Sequence, residues 1–143
     1  MNSQKKILIV EDSEASVKLI QAHLDRSGYQ TIVARSGMGG LAAAREKKPD
    51  LIVLDILLPD LGGHKVCRMI KFDRKLCHIP VVVWTSRDTE EDAETAKNCG
   101  ADAFVVKSTK IQVLLEVIRK LIVKNDEKKG GANGDADRGD EPA

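Results

Sequence analysis

Between Pro49-Asp50 and Pro59-Asp60 runs Leu51-Ile52-Val53-Leu54-Asp55-Ile56-Leu57-Leu58, aliphatic throughout except for one carboxylate. An apolar run of this length, bounded by turn residues, reads as a strand buried on both faces, as in the centre of a parallel sheet. Such a strand needs helices on either side, which restricts the chain to an α/β layer structure. Asp55 is out of place within it. Burying a lone carboxylate costs roughly several kcal/mol, so Asp55 belongs at the strand's C-terminal edge beside a cation, where open α/β sheets bind ligands.

The remaining pattern supplies the layers. Ile7-Leu8-Ile9-Val10 is a first buried strand ending in Glu11-Asp12-Ser13, and Val17, Ile20 and Leu24 recur at helical spacing before Gly28. Residues 30–34 form a short strand, after which Ser36 caps a helix to about Lys47. Turn chemistry at Leu58 to Gly63 leads into a third helix marked by Val66, Met69 and Ile70. Pro80 to Trp84 is a fourth strand ending in Thr85, followed by a helix over Asp88 to Asn98 with Asp88 and Glu91 spaced as a capping box. Ala103 to Val106 is a fifth strand ending in Lys107. A helix from Thr109 to Lys124 carries Ile111, Leu114, Leu115, Ile118 and Leu121 as one stripe, with Thr109 and Gln112 as its capping box. Five strands alternating with five helices predict an α/β, doubly wound, five-stranded parallel sheet.

The domain is expected to span 1–124. Residues 125–143 contain no aliphatic larger than alanine and read as a disordered charged tail. The tail's six acids and three bases give it −3, leaving +4 on the domain. Its Arg138-Gly139-Asp140 and its Asp135 and Asp137 read as chance matches to an adhesion tripeptide and to part of a calcium loop. The whole-chain charge of +1 and the few aromatics give no support for direct nucleic-acid binding. No apolar run is long enough for membrane insertion and no signal peptide is evident, so a cytoplasmic location is expected. Cys67, Cys77 and Cys99 lack zinc-site spacing and read as free thiols; His23, His64 and His78 read as surface residues.

In a parallel sheet, Glu11-Asp12, Asp55, Thr85 and Lys107 all fall on one edge. Three carboxylates there would repel one another unless a hard cation lay between them, and oxygen ligands of this kind suit Mg²⁺. Lys107 and the Thr85 hydroxyl add the cation and donor that an incoming phosphoryl group needs.

With those residues in order, the chain from Lys5 to Lys124 resembles a response-regulator receiver domain of two-component signalling, similar to the single-domain chemotaxis regulator. The resemblance rests on Glu11, Asp12, Asp55, Pro59, Gly63, Thr85, Phe104 and Lys107. It implies a flavodoxin-like receiver fold and a phosphoacceptor switch rather than an enzyme, promoting only its own phosphorylation and dephosphorylation. Asp55 would take the phosphoryl group from a sensor histidine kinase or a histidine phosphotransfer protein. Mg²⁺ would be held by Asp12, Asp55 and the Leu57 backbone carbonyl, with Glu11 acting through water. Thr85 and Phe104 would form the switch, and the signal would leave through the fourth helix, fifth strand and fifth helix to a downstream target protein. The family usually has a cis proline after this lysine, whereas Ser108 follows here; a cis bond before a non-proline residue costs about 3 to 4 kcal/mol, so a trans loop is expected.

Two alternatives stand beside this reading. Gly37, Gly39 and Ala42 fit a G-x-G-x-x-A dinucleotide fingerprint between a strand and a helix, with Asp55 about twenty residues on. The other alternative keeps the fold without the chemistry, as a phosphorylation-independent pseudo-receiver docking module.

Overall fold

The computed structural model describes residues 4–131. The elements alternate strictly: β1 Lys6–Val10, α1 Glu14–Arg26, β2 Gln30–Ala34, α2 Gly37–Lys47, β3 Leu51–Leu54, α3 Gly63–Lys71, β4 Val81–Thr85, α4 Glu90–Asn98, β5 Ala103–Val106 and α5 Ile111–Gly131. All five strands pair in parallel in the order β2-β1-β3-β4-β5, the flavodoxin-like arrangement expected from the alternation.

Strand alternation divides the core between two faces. Ile7, Ile9, Leu51, Val53, Val82, Trp84 and Val105 pack on Ile20 and Leu24 of α1 and on Leu114, Ile118 and Ile122 of α5. Leu8, Val10, Ile52, Leu54 and Val81 face Leu41 and Ala44 of α2 and Val66, Cys67 and Ile70 of α3. Val83 and Ile56 meet Ala96 of α4, with Phe104 packed against them. β1, β3 and β4 are buried along almost their whole length, which explains why their sequences are continuous aliphatic runs.

Local chemistry starts and stops the helices. Ser13 and Ser36 accept the N–H groups of Ser16 and Gly39, capping α1 and α2. α4 departs from the expected cap: Thr89 accepts from Asp92 N–H at 3.1 Å and donates to the Asp92 carboxylate at 2.6 Å, so the box lies one residue beyond Asp88 and Glu91. α5 starts later than expected because Thr109 donates its N–H to the Val106 carbonyl in a turn. It also continues past Lys124 to Gly131. Glu and Lys favour helix without needing an apolar face, and Asp126 pairs with Lys5 at 3.0 Å. The remainder of the expected tail, 132–143, lies outside the described residues, with its tripeptide and its paired aspartates.

The histidines are not all at the surface. His64 is half-buried, with both ring nitrogens enclosed and lacking a hydrogen-bond partner, and burial lowers its pKa. Cys67 and Cys99 are buried and Cys77 is exposed; all three are free, and burial pushes the Cys67 thiol up to about 12.

If α5 is held by its inner stripe, Ile118→Ala should cost about 2 to 5 kcal/mol in urea unfolding, because Ile118 is 0% exposed. Val123→Ala, on the outer side at 43% exposure, should stay within about 0.5 kcal/mol.

Candidate functional site at the carboxyl edge of the sheet

Strand order reverses direction between β1 and β3, and at such a switch point the connecting loops part to leave a crevice. Glu11 follows β1 and Asp55 follows β3, so both line that crevice. The register holds them there: the Asp55 N–H donates to the Val10 carbonyl at 3.0 Å and the Glu11 N–H to the Ala34 carbonyl at 2.9 Å.

Lys107 reaches across from the end of β5. Its Nζ lies 2.8 Å from Glu11 Oε1, 3.1 Å from Asp55 Oδ2 and 2.9 Å from the Ser16 hydroxyl, and 5.1 Å from the centre of the Trp84 ring. The Lys107 N–H donates to the Thr85 carbonyl at 2.7 Å, which fixes the start of its loop. No peptide bond among the described residues is cis, so Lys107 reaches the carboxylates with Ser108 behind it in trans. Glu11 and Asp55 are 2% and 5% exposed, so the ammonium is the main compensation for two buried charges. Burial pushes the Glu11 carboxyl above its ordinary value and the Asp55 charge adds to this, while Lys107 and the Ser13 N–H pull it back.

Asp55 Oδ1 accepts the Leu57 N–H at 3.1 Å, which aims the carboxylate into the crevice. The loop behind it is tightly folded: Gly63 donates its N–H to the Ile56 carbonyl, and a Cβ at Gly63 would lie 2.3 Å from the Asp55 carbonyl oxygen. Only glycine allows α3 to start so close to the strand end.

The other expected residues are placed more loosely. Asp12 is exposed, and among the described residues no three acids, histidines or cysteines converge into a cation cage; the expected convergence of three carboxylates is replaced by two of them on Lys107. The donor chemistry still fits a hard cation. Glu11 Oε1 is buried, close to the ammonium but without a hydrogen bond aligned to it, and Asp12 stands next to it in the chain. Thr85 is 0% exposed, with its hydroxyl accepting the Arg87 N–H at 3.3 Å on the way to α4. Phe104 is half-buried against Ile56, Val83 and Ala96. Sequence reasoning missed Ser16, which carries no signal beyond lying one helical turn past the strand end. It also missed that Trp84 stacks under Lys107.

The glycines of the dinucleotide fingerprint have a different use. Asp60 Oδ1 and Oδ2 accept the N–H groups of Gly37 and Met38 at 2.7 and 3.0 Å, occupying the helix terminus where a pyrophosphate would bind. A Cβ at Gly40 would meet Val10 at 2.8 Å, and one at Gly37 would meet Leu61 and Val66 at 2.9 Å. These glycines let α2 pack closely on β1 and on the loop after Asp55, so the dinucleotide reading does not hold.

A parallel sheet with paired acids after β1, an acid after the central strand and a lysine after β5 defines a response regulator receiver domain. The profile of that domain matches residues 7–119, and the chain belongs to this family, whose role is phosphorylation-based switching. Receiver domains bind Mg²⁺ in the active site, interact with histidine kinases and downstream targets, and are generally phosphoacceptor switches rather than classical enzymes. Among its relatives is the polar-differentiation response regulator DivK of Brucella ovis, 38% identical over 118 residues, covering 82% of this chain and 96% of that protein. A CheY-like receiver domain protein from Methanospirillum hungatei superposes with a TM-score of 0.81 at 28% identity, covering 88% and 99% of the two chains. The receiver domain of the sensor histidine kinase PA1611 from Pseudomonas aeruginosa, solved with a magnesium ion coordinated in its active site cleft, superposes with a TM-score of 0.77 at 25% identity, covering 84% and 98% of the two chains. No helix among the described residues is long and apolar enough to cross a membrane.

The two N–H donors hold the Asp60 carboxyl down to about 2. The contribution is therefore complete above the unfolded value near about 4 and lost as pH falls through about 2. A carbon-detected NMR titration should give Asp60 a midpoint near that lower value, and Ser36→Ala, which leaves both donors in place, should not move it; a midpoint in the ordinary aspartate range would show that Asp60 does not cap α2.

Proposed function

We propose that Asp55 is the phosphoacceptor of this receiver and that Lys107 is its charge partner. One observation carries the reading: Asp55, alone among the acids of the described residues, lies at the end of the central strand with one oxygen held by the Leu57 N–H and the other 3.1 Å from the Lys107 ammonium. A carboxylate oxygen of Asp55 attacks the phosphorus of a phosphohistidine on a sensor kinase or a histidine phosphotransfer protein. The new P–O bond forms as the P–N bond breaks, and the departing imidazole nitrogen keeps the electron pair. The transfer requires in-line positioning and neutralisation of the equatorial oxygens. Lys107 turns from the carboxylate to those oxygens, and the Leu57 N–H keeps the carboxylate aimed.

Mg²⁺, the ion coordinated in the active site cleft of the Pseudomonas receiver, would when bound add positive charge to the site. Asp12, Asp55 and the Leu57 carbonyl would hold it, with Glu11 acting through water. The intact acids favour this reading over a phosphorylation-independent docking module. The chain then promotes only its own phosphorylation and dephosphorylation, in the cytoplasm.

Thr85 and Phe104 form the switch. The Thr85 hydroxyl now accepts the Arg87 N–H. When it turns to donate to the phosphoryl group, the approach to α4 is released and Phe104 moves toward the vacated space. The face of α4, β5 and α5 presents the change to a downstream target protein.

A small phosphodonor should add one phosphoryl mass to the chain in a Mg²⁺-dependent way, and Asp55→Asn should abolish it in intact-mass spectra; undiminished uptake would place the acceptor elsewhere. Thr85→Ala should still take up the phosphoryl group, because it removes no charge. It should lose most of the coupling to the switch, roughly 1 to 3 kcal/mol or about 5- to 150-fold in target affinity. Amide shifts at Phe104 and along α4 with a stable phosphoryl mimic measure this directly, and shifts equal to wild type would show that the relay bypasses Thr85.

A further inference from the structure

At the opposite edge of the sheet, where the strands begin, two hollows meet at His78. The larger, about 970 Å³, is lined by Arg45 and Lys48 at the end of α2 and by Arg74 and Lys75 between α3 and β4. The smaller, about 490 Å³, is lined by Lys71 and by Lys124, Lys128 and Lys129 of α5. These eight side chains are about a third of the chain's 23 lysines and arginines, whereas only two of its 22 acids, Asp73 and Asp102, line the same surface. The surface therefore carries +6, in a chain whose total is +1, and everything else sums to −5.

The two acids do little to offset that charge. Asp102 is committed to Lys71 at 3.0 Å and to the Val81 N–H at 2.8 Å, and Lys71 also donates to the Ile79 carbonyl at 2.9 Å. This network fixes the wall of the smaller hollow. Asp73 accepts the Lys75 N–H at 2.7 Å. Among the described residues, none of the other seven cations pairs with a carboxylate. So many like charges on one concave surface repel one another, and a multivalent anion would relieve that repulsion while guanidinium forks bind its oxygens in pairs.

We propose that this double hollow is a binding site for an oligophosphate, a ligand of three or more linked phosphate groups long enough to bridge Arg45 and Arg74 on one side of His78 and Lys128 on the other. Each hollow's volume lies within the range of small-ligand sites. The strands separate it from Asp55 by about 17 Å, so a bound anion touches none of the residues at the carboxyl edge. His78 is a built-in reporter. Burial lowers its pKa, and Lys129 and Lys71 lower it further, so an anion seated among these lysines should raise it.

Sodium tripolyphosphate added to the full chain at physiological salt should raise the melting temperature saturably, raise the NMR-measured pKa of His78 and shift the side-chain signals of Arg45, Arg74 and Lys128 together. Arg74→Glu with Lys75→Glu, both at exposed positions, should weaken binding at least tenfold while Mg²⁺-dependent phosphorylation of the chain continues. Sodium sulfate at equal ionic strength is the control. The proposal fails if sulfate reproduces the shifts, if the double variant binds as tightly as wild type, or if His78 titrates unchanged at saturating tripolyphosphate.

Discussion

One ammonium group holds two carboxylates that the fold would otherwise be unable to bury. Lys107 lies within 2.8 and 3.1 Å of Glu11 and Asp55, neither of which has appreciable exposure. Removing one partner of a buried ion pair costs roughly 3 to 5 kcal/mol, because the other charge is left without compensation. Each of the three groups comes from a different strand end, so this contact ties β1, β3 and β5 together at one edge. It also leaves the Asp55 oxygens beside a mobile, compact charge, which a lysine provides better than an arginine locked into a bidentate fork.

Much of this was legible in the sequence because the strands are continuous aliphatic runs and the polar residues occur where the runs stop. The period and the Gly and Ser punctuation placed all ten elements, and parallel topology then put Glu11, Asp55, Thr85 and Lys107 on one edge. What could not be read is the set of choices that depend on distance. Nothing in the spacing says that Lys107 pairs with Glu11 and Asp55 while Asp12 faces outward, because both neighbours in Glu11-Asp12 are acids and strand alternation alone sends one inward. The cap of α4 was misplaced by one residue for a similar reason: Asp88-Thr89-Glu90-Glu91-Asp92 offers two overlapping boxes, and the choice of Thr89 rests on a hydroxyl able to donate as well as accept. The end of α5 is not marked by its apolar stripe, because helix-favouring charged residues prolong the helix without one.

The glycine-rich opening of α2 shows how a motif loses its meaning once its surroundings are known. Spacing alone fits a nucleotide loop, but the N–H groups such a loop would offer are already bound by Asp60. The same bonds connect the loop after Asp55 to a helix packed on β1 beside α3, so α2 and α3 are fastened to one loop of chain.

That fastening has a mechanical consequence. From Asp55 to Gly63 the chain leaves the sheet and returns to within hydrogen-bonding distance of its own start, where Gly63 meets the Ile56 carbonyl, and midway it is tied to α2 through Asp60. A loop closed at its base and pinned at its apex behaves as a rigid bracket. A displacement at Asp55 would meet that bracket on one side of the crevice and, on the other, a Thr85 hydroxyl held to Arg87 by one 3.3 Å hydrogen bond.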